Sequence, residues 1–150
     1  MVIPLIKIIF ILFFHKIVRV FFPSVIWKGG TEVSKVVYFT FDDGPTPNVT
    51  EAVLSILKSY NAKATFFCIG NQVEKHPETY KSVLREGHAV GNHTQHHLKG
   101  WKTSNQKYFD DVKEAASNIS SNLFRPPYGK MKWSQYRLLK KKYKIVLWDV

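Results

Sequence analysis

The chain has 150 residues, the length of one domain with a buried core. Its 45% hydrophobic content excludes a wholly disordered chain, and its single cysteine, Cys68, excludes an intrachain disulfide or a cysteine-based zinc cage. The formal charge of +11 favours polyanionic surroundings such as anionic lipid or acidic wall polymers; no nucleic-acid module pattern accompanies it, and no nucleic-acid partner is expected.

Residues Val2 to Trp27 are mostly apolar, interrupted by Lys7, His15, Lys16 and Arg19. A membrane-crossing helix needs about 20 apolar residues, and the uninterrupted run from Ile8 to Phe14 is far shorter. No Ala-x-Ala site follows it and Lys7 comes late, so a cleaved signal peptide fits no better. Drawn as a helix, the basic side chains share one half of the wheel, while Ile6, Ile9, Phe13, Ile17 and Val20 occupy the other. That pattern suits a helix lying in a membrane interface, and a membrane surface or the cell envelope is the expected location. An uncleaved signal anchor and a helix packed across the end of the domain are the alternatives. With Gly29-Gly30 as linker, the expected division is residues 1–30 for this segment and 31–150 for the domain.

The run Val36 to Phe41, rich in β-branched and aromatic residues, reads as a buried strand ending at Asp42 and Asp43. Gly44-Pro45 breaks the extended chain and puts both carboxylates at the rim of a sheet. Thr46-Pro47-Asn48 reads as a helix start, with Val49, Val53, Ile56, Leu57 and Tyr60 at helical spacing behind it. Ala64 to Ile69 is the next strand, with Cys68 as a core residue. A helical stretch follows Gly70-Asn71, breaks at His76-Pro77 and resumes to a Gly87 stop. His88 to Asn92 reads as a third strand delivering His93 to the same rim. An amphipathic helix over 105–121, a turn at Arg125, a helix from Trp133 to Lys142 and a strand from Ile145 to Trp148 complete the series. Strands alternating with helices predict parallel βαβ units, an α/β fold.

Adjacent carboxylates repel, so Asp42 and Asp43 need a positive partner. On its own the Asp-Asp-Gly-Pro segment is an ordinary turn. Two later segments change that reading. His93-Thr94-Gln95-His96-His97 sets two imidazoles four residues apart, which point the same way from a helical turn, and Arg125-Pro126-Pro127-Tyr128-Gly129 sets a guanidinium in a rigid turn. Two imidazoles and a carboxylate from another strand form a facial ligand set with open positions, as a hydrolytic metal needs. His and carboxylate suit zinc first, and other divalent transition metals after it.

Thr40-Phe41-Asp42-Asp43-Gly44-Pro45, then His93 to His97, then Arg125 to Tyr128 resemble, in that order, the Thr-Phe-Asp-Asp-Gly-Pro, His-Ser/Thr-x-x-His and Arg-x-Pro-Tyr segments of the polysaccharide deacetylases. The resemblance runs from about Lys35 to the last residue and implies a distorted (β/α) barrel with its chemistry at the carboxyl ends of the strands. It also implies a metal-dependent hydrolase that removes N-acetyl groups from a chitin-like oligomer or peptidoglycan. By the same resemblance Asp43, His93 and His97 are the metal ligands, Asp42 is the general base and Arg125 orients it. The backbone N–H of Tyr128 helps hold the oxyanion, and Pro127, Tyr128 and Trp148 are the candidate substrate-binding residues.

A fourth segment with an Asp-Trp-like pair and a fifth with Leu-x-His, which supplies the general acid, normally follow in that family. The chain ends at Trp148-Asp149-Val150, so the expectation is a barrel incomplete at its C-terminus, able to bind metal but poorly active alone. A carbohydrate-binding protein or fragment without the general acid, and a small-molecule amide hydrolase on the same scaffold, are the alternative readings. His96 reads as a supporting or surface residue, and His76 and His88 as loop or strand-end histidines without a nameable partner. Trp101, like Trp148, is divided between core and sugar-stacking roles.

Overall fold

The computed structural model describes residues 20, 22–29 and 36–148. Five parallel strands form one sheet in the order β1-β2-β3-β4-β5: β1 is Phe39–Asp42, β2 Ala64–Cys68, β3 Ala89–Asn92, β4 Leu123–Phe124 and β5 Lys144–Ile145. The intervening helices are α1 (Val49–Ser59), α2 (Gly70–Lys75), α3 (Pro77–Arg85), α4 (Asn105–Asn118) and α5 (Trp133–Leu139). Strand order follows chain order, as in successive βα units of a barrel, and the sheet is not closed among the described residues. This is the expected α/β architecture, a distorted and incomplete (β/α) barrel.

The register sets Asp42 beside Phe67, Cys68 beside Asn92, and Asn92 beside Phe124, so the segments after β1, β3 and β4 leave the sheet at one rim. Two apolar clusters hold that rim in place. Leu54, Leu57, Phe66, Cys68, Val83, Val90 and Ile119 pack the first half, and Val25, Tyr108, Val112, Phe124, Tyr136 and Ile145 the second. Each such side chain, fully buried, contributes about 1.5–3 kcal/mol.

Two expectations change in the structure. The run from Val36 was expected to be buried, yet Val36, Val37, Tyr38 and Phe39 are all exposed. The reason is topological: among the described residues β1 pairs only with β2, so its start and outer face lack a covering layer. The segment Phe22 to Trp27 was grouped with an N-terminal helix, but here it is non-helical and packs on the domain. Ile26 bridges Val146 in parallel, Val25 is buried, and the Phe22 ring lies 4.8 Å from that of Tyr136. Ser24 Oγ and Tyr136 OH share a hydrogen bond of 2.6 Å. The expected boundary at residue 30 falls after this segment, and the interfacial-helix pattern of residues 2–19 lies outside the described residues.

Candidate metal centre

β1 carries Asp42 as its last residue, and the chain leaves the strand at Asp43 through a left-handed turn with φ of 69°. Side chains of successive residues diverge at such a turn, which gives the two carboxylates separate tasks. Asp42 Oδ1 accepts from Arg125 Nη1 at 2.7 Å, while Asp43 Oδ1 lies 3.4 Å from His93 Nε2 and 3.1 Å from His97 Nε2.

His93 follows β3 directly, and its N–H donates to the Cys68 carbonyl at 2.9 Å, continuing the ladder for one residue. Its Nδ1 lies 2.6 Å from the Arg125 carbonyl oxygen. A carbonyl only accepts, so Nδ1 carries the proton and Nε2 is the nitrogen turned toward Asp43 and His97.

The helical turn expected for His93 to His97 is absent. Thr94 and His97 have φ of 67° and 55°, and the Thr94 N–H donates to the Asn92 side chain at 2.8 Å. Left-handed residues interrupt the helical hydrogen-bond pattern, so the imidazoles converge from a loop instead. Asp111 on α4 supports that loop, a residue sequence reasoning passed over. Its Oδ2 accepts from the N–H groups of Gln95 at 2.9 Å and His96 at 3.1 Å, and its Oδ1 lies 2.7 Å from His96 Nδ1. The signal was a carboxylate between Tyr108 and Val112 on the inward stripe of an amphipathic helix. Asn92 is the second residue missed: fully buried, it donates to the Val112 carbonyl at 3.0 Å.

Arg125 is 2% exposed and reaches across the barrel mouth. Nη1 donates to Thr40 Oγ1 at 2.9 Å as well as to Asp42, and Nε and Nη2 donate to the carbonyls of Val146 and Leu147, both at 3.3 Å. Its guanidinium lies 4.1 Å from the centre of the Phe67 ring and 5.6 Å from that of Trp148. The side chain therefore fixes Asp42 while the main chain of the same residue fixes His93.

In the turn after Arg125, Pro127 is buried and Tyr128, with φ of 60°, is exposed. The Tyr128 ring lies 4.6 Å from that of His97, and Lys99 Nζ sits 4.6 Å above it. Gly129 has φ of 65°, and a Cβ there would approach the Trp148 ring at 3.0 Å, which keeps Trp148 against this turn. Trp101 is exposed, donates its indole N–H to the Met131 carbonyl at 2.9 Å and lies under Lys130. His88 does have a partner, since its Nδ1 accepts from the Ala64 N–H at 3.3 Å.

The donor set of Asp43, His93 and His97 fits a divalent cation. Their ligand atoms lie within 4.8 Å of one another, two of the separations being 3.1 and 3.4 Å. Tetrahedral bonds of about 2.0–2.1 Å place neighbouring donors roughly 3.4 Å apart. The electrostatics agree with the geometry. Asp43 is held below the usual carboxylate range, chiefly by the hydrogen bond from His93 and, against desolvation, by the His97 charge. Burial pushes His97 below the usual imidazole value against the pull of Asp43, which favours its neutral, ligating form.

The polysaccharide deacetylase family profile matches residues 29–145. This chain belongs to the polysaccharide deacetylase family. A Bacillus cereus peptidoglycan-N-acetylglucosamine deacetylase is 40% identical to this family member over 121 residues, 77% of this chain and 57% of the relative. The peptidoglycan-N-acetylmuramic acid deacetylase PdaC of Bacillus subtilis is 39% identical over 122 residues, 77% of this chain and 26% of the relative. The crystal structure of the Bc1960 peptidoglycan N-acetylglucosamine deacetylase superposes with a TM-score of 0.78 at 31% identity, covering 82% of this chain and 60% of that one. The chain thus spans little more than half of the first relative and about a quarter of the second.

Proposed function

We propose that this chain carries the metal-binding part of a hydrolase that removes N-acetyl groups from the amino sugars of a polysaccharide and releases acetate. Peptidoglycan is preferred over chitin-like oligomers because the two relatives above are named for it, and the cell envelope is the corresponding location. The observation that carries the reading is the convergence of Asp43, His93 and His97 with His93 Nδ1 tied to the Arg125 carbonyl. Zinc is the proposed ion, since two imidazoles and a carboxylate suit it, though other divalent transition metals take the same donors. Bound there, zinc supplies a Lewis acid and lowers the pKa of water to about 7.

The chain's own residues supply the rest of the proposed chemistry. Asp42, held in rotation by Arg125, accepts the proton of the attacking water. Arg125 orients that base through a charged hydrogen bond and reaches two carbonyls besides. The Tyr128 N–H donates to the developing oxyanion. The exposed rings of Tyr128 and Trp148 offer a face for a sugar, and buried Pro127 shapes the turn that presents them. Contact with a membrane surface through residues 1–30 belongs to the same proposal; no helix of the described residues is long and apolar enough to cross a membrane.

The test measures zinc content together with acetate release from peptidoglycan and from N-acetylglucosamine oligomers. Expected are one zinc per chain and weak zinc-dependent acetate release, both lost in Asp43→Ala. Asp42→Asn should keep the zinc and lose the turnover. Acetate release indifferent to Asp43→Ala would refute the reading. Oligosaccharide binding without turnover would assign a carbohydrate-binding role, and turnover of small amides alone would assign the scaffold to another substrate.

A further inference from the structure

The loop carrying two of the three proposed ligands has an unusual support. Thr94 and His97 are both left-handed, so neither a helix nor a strand supplies partners for the amide groups between them. The N–H groups of Gln95 and His96 instead converge on one oxygen of Asp111, at 2.9 and 3.1 Å. The other oxygen lies 2.7 Å from His96 Nδ1. Asp111 is 6% exposed, and a carboxylate in such a place is tolerated only because several donors reach it. Its helix is anchored hard in the core, with Tyr108 and Ala115 fully buried on either side. The carbonyls on the opposite side of the loop are also held: Gly70 N–H donates to the Thr94 carbonyl at 2.9 Å and Asn71 N–H to that of Gln95 at 3.1 Å.

We propose that Asp111 is a positioning residue for the metal centre: by clamping the peptides of Gln95 and His96 it sets where His97 Nε2 stands relative to His93 and Asp43. The inference rests on the reading of those three residues as metal ligands. His97 is the next residue after the clamp, so a rotation of the clamped peptides displaces its imidazole directly. Ligand atoms must sit within about 0.2 Å of ideal bond lengths, so a small displacement weakens binding. Residues that orient metal ligands without touching the metal typically contribute 10–100-fold in affinity. A competing assignment exists, because His96, Asp111 and Glu114 also bring ligand atoms within 4.8 Å of one another. Both Asp111 oxygens already serve donors, which favours the clamp over a second cation.

The experiment uses the full chain, with zinc affinity measured by competition against a chromogenic chelator and the visible spectrum recorded with cobalt(II). Asp111→Ala should weaken zinc about tenfold or more and alter the cobalt band, whereas Asp111→Asn, whose amide oxygen still accepts both N–H groups, should stay within about threefold. His96→Ala should also stay within about threefold, since it leaves the two peptide contacts intact. Wild-type affinity and an unchanged cobalt spectrum in folded Asp111→Ala would overturn the inference while leaving the metal centre standing. A wild-type chain that takes up no zinc removes both. A second equivalent of zinc that disappears in Glu114→Ala would give Asp111 to a cation site of its own and overturn the clamp. Should Asp111→Ala not fold, amide exchange in the zinc-free wild type decides: protected Gln95 and His96 amides support the clamp, and free exchange at both overturns it.

Discussion

Replacing Arg125 by Met tests whether one side chain ties the barrel mouth together. The guanidinium donates to Asp42, Thr40, Val146 and Leu147, so it joins β1 to the residues just beyond β5. Methionine fills much of the space over Phe67 and keeps the cavity small, which isolates the loss of the donors. Removing one partner of a buried ion pair costs about 3–5 kcal/mol. Asp42 is 32% exposed on its side chain, so water takes over part of the task and the low end, about 3 kcal/mol, is expected. For a domain of this size that corresponds to a fall in Tm of roughly 10 °C. Arg125→Lys keeps the charge but not the fork, and should lose about half as much. Thermal and urea unfolding of the zinc-free chain at neutral pH measure this, and a lower urea midpoint with an unchanged slope would mark a pure stability effect. Zinc content should be unaffected, because His93 is oriented by the Arg125 main chain and not by its side chain. A Met variant melting within about 3 °C of wild type would refute the account of Arg125 as a structural tie.

Two further outcomes follow from the packing and the electrostatics. In Gly70→Ala the new methyl group runs into Gln95 Oε1 and comes within 2.9 Å of the Ala115 Cα, so α2 must move away from α4 and from the His loop. The expected cost is about 1–3 kcal/mol, accompanied by weaker zinc binding, and unfolding curves that superpose on wild type would contradict it. His88 is held below the usual imidazole value, first by burial and then by the Lys63 charge, and its Nδ1 accepts a hydrogen bond in the neutral form. Because the folded pKa lies below the unfolded one, its contribution is full above about pH 6.5 and is lost as pH falls through the lower folded value. The stability difference between wild type and His88→Phe should therefore be largest near pH 8 and shrink toward pH 5; a difference flat across that range would show that His88 does not titrate in this way.

The parallel α/β order was legible because four of the five strands lie in short apolar runs bounded by turn residues; the two-residue β4, Leu123–Phe124, is too short to show a pattern and was expected only as the lead into a turn. Asp43, His93, His97, Asp42 and Arg125 were legible as a group because their segments keep a recognisable order and each follows a strand. Their convergence at one rim then follows from parallel pairing, which points every carboxyl end the same way. The route by which the two imidazoles meet was not legible. Spacing of i and i+4 suggests a helical turn, and only the competing hydrogen bonds of Asn92 and Asp111 make a left-handed loop the better solution. Periodicity marks Asp111 as inward-facing but says nothing of which peptide groups it meets.

The amino-acid order alone determined which chemical groups are available and which elements carry them, because local propensity and apolar periodicity act within a few residues of each side chain. Tertiary structure decided the rest: that Val36 to Phe39 stand exposed on a strand paired along one side, that Phe22 to Trp27 join the sheet beside Val146, and that one arginine serves Asp42 and His93 at once. Those outcomes depend on contacts between residues 83 and 85 positions apart in the Arg125 pairs, and up to 112 in the Ser24–Tyr136 pair. Burial and partner geometry at such separations are properties of the whole packed chain, set by which surfaces are left to cover one another.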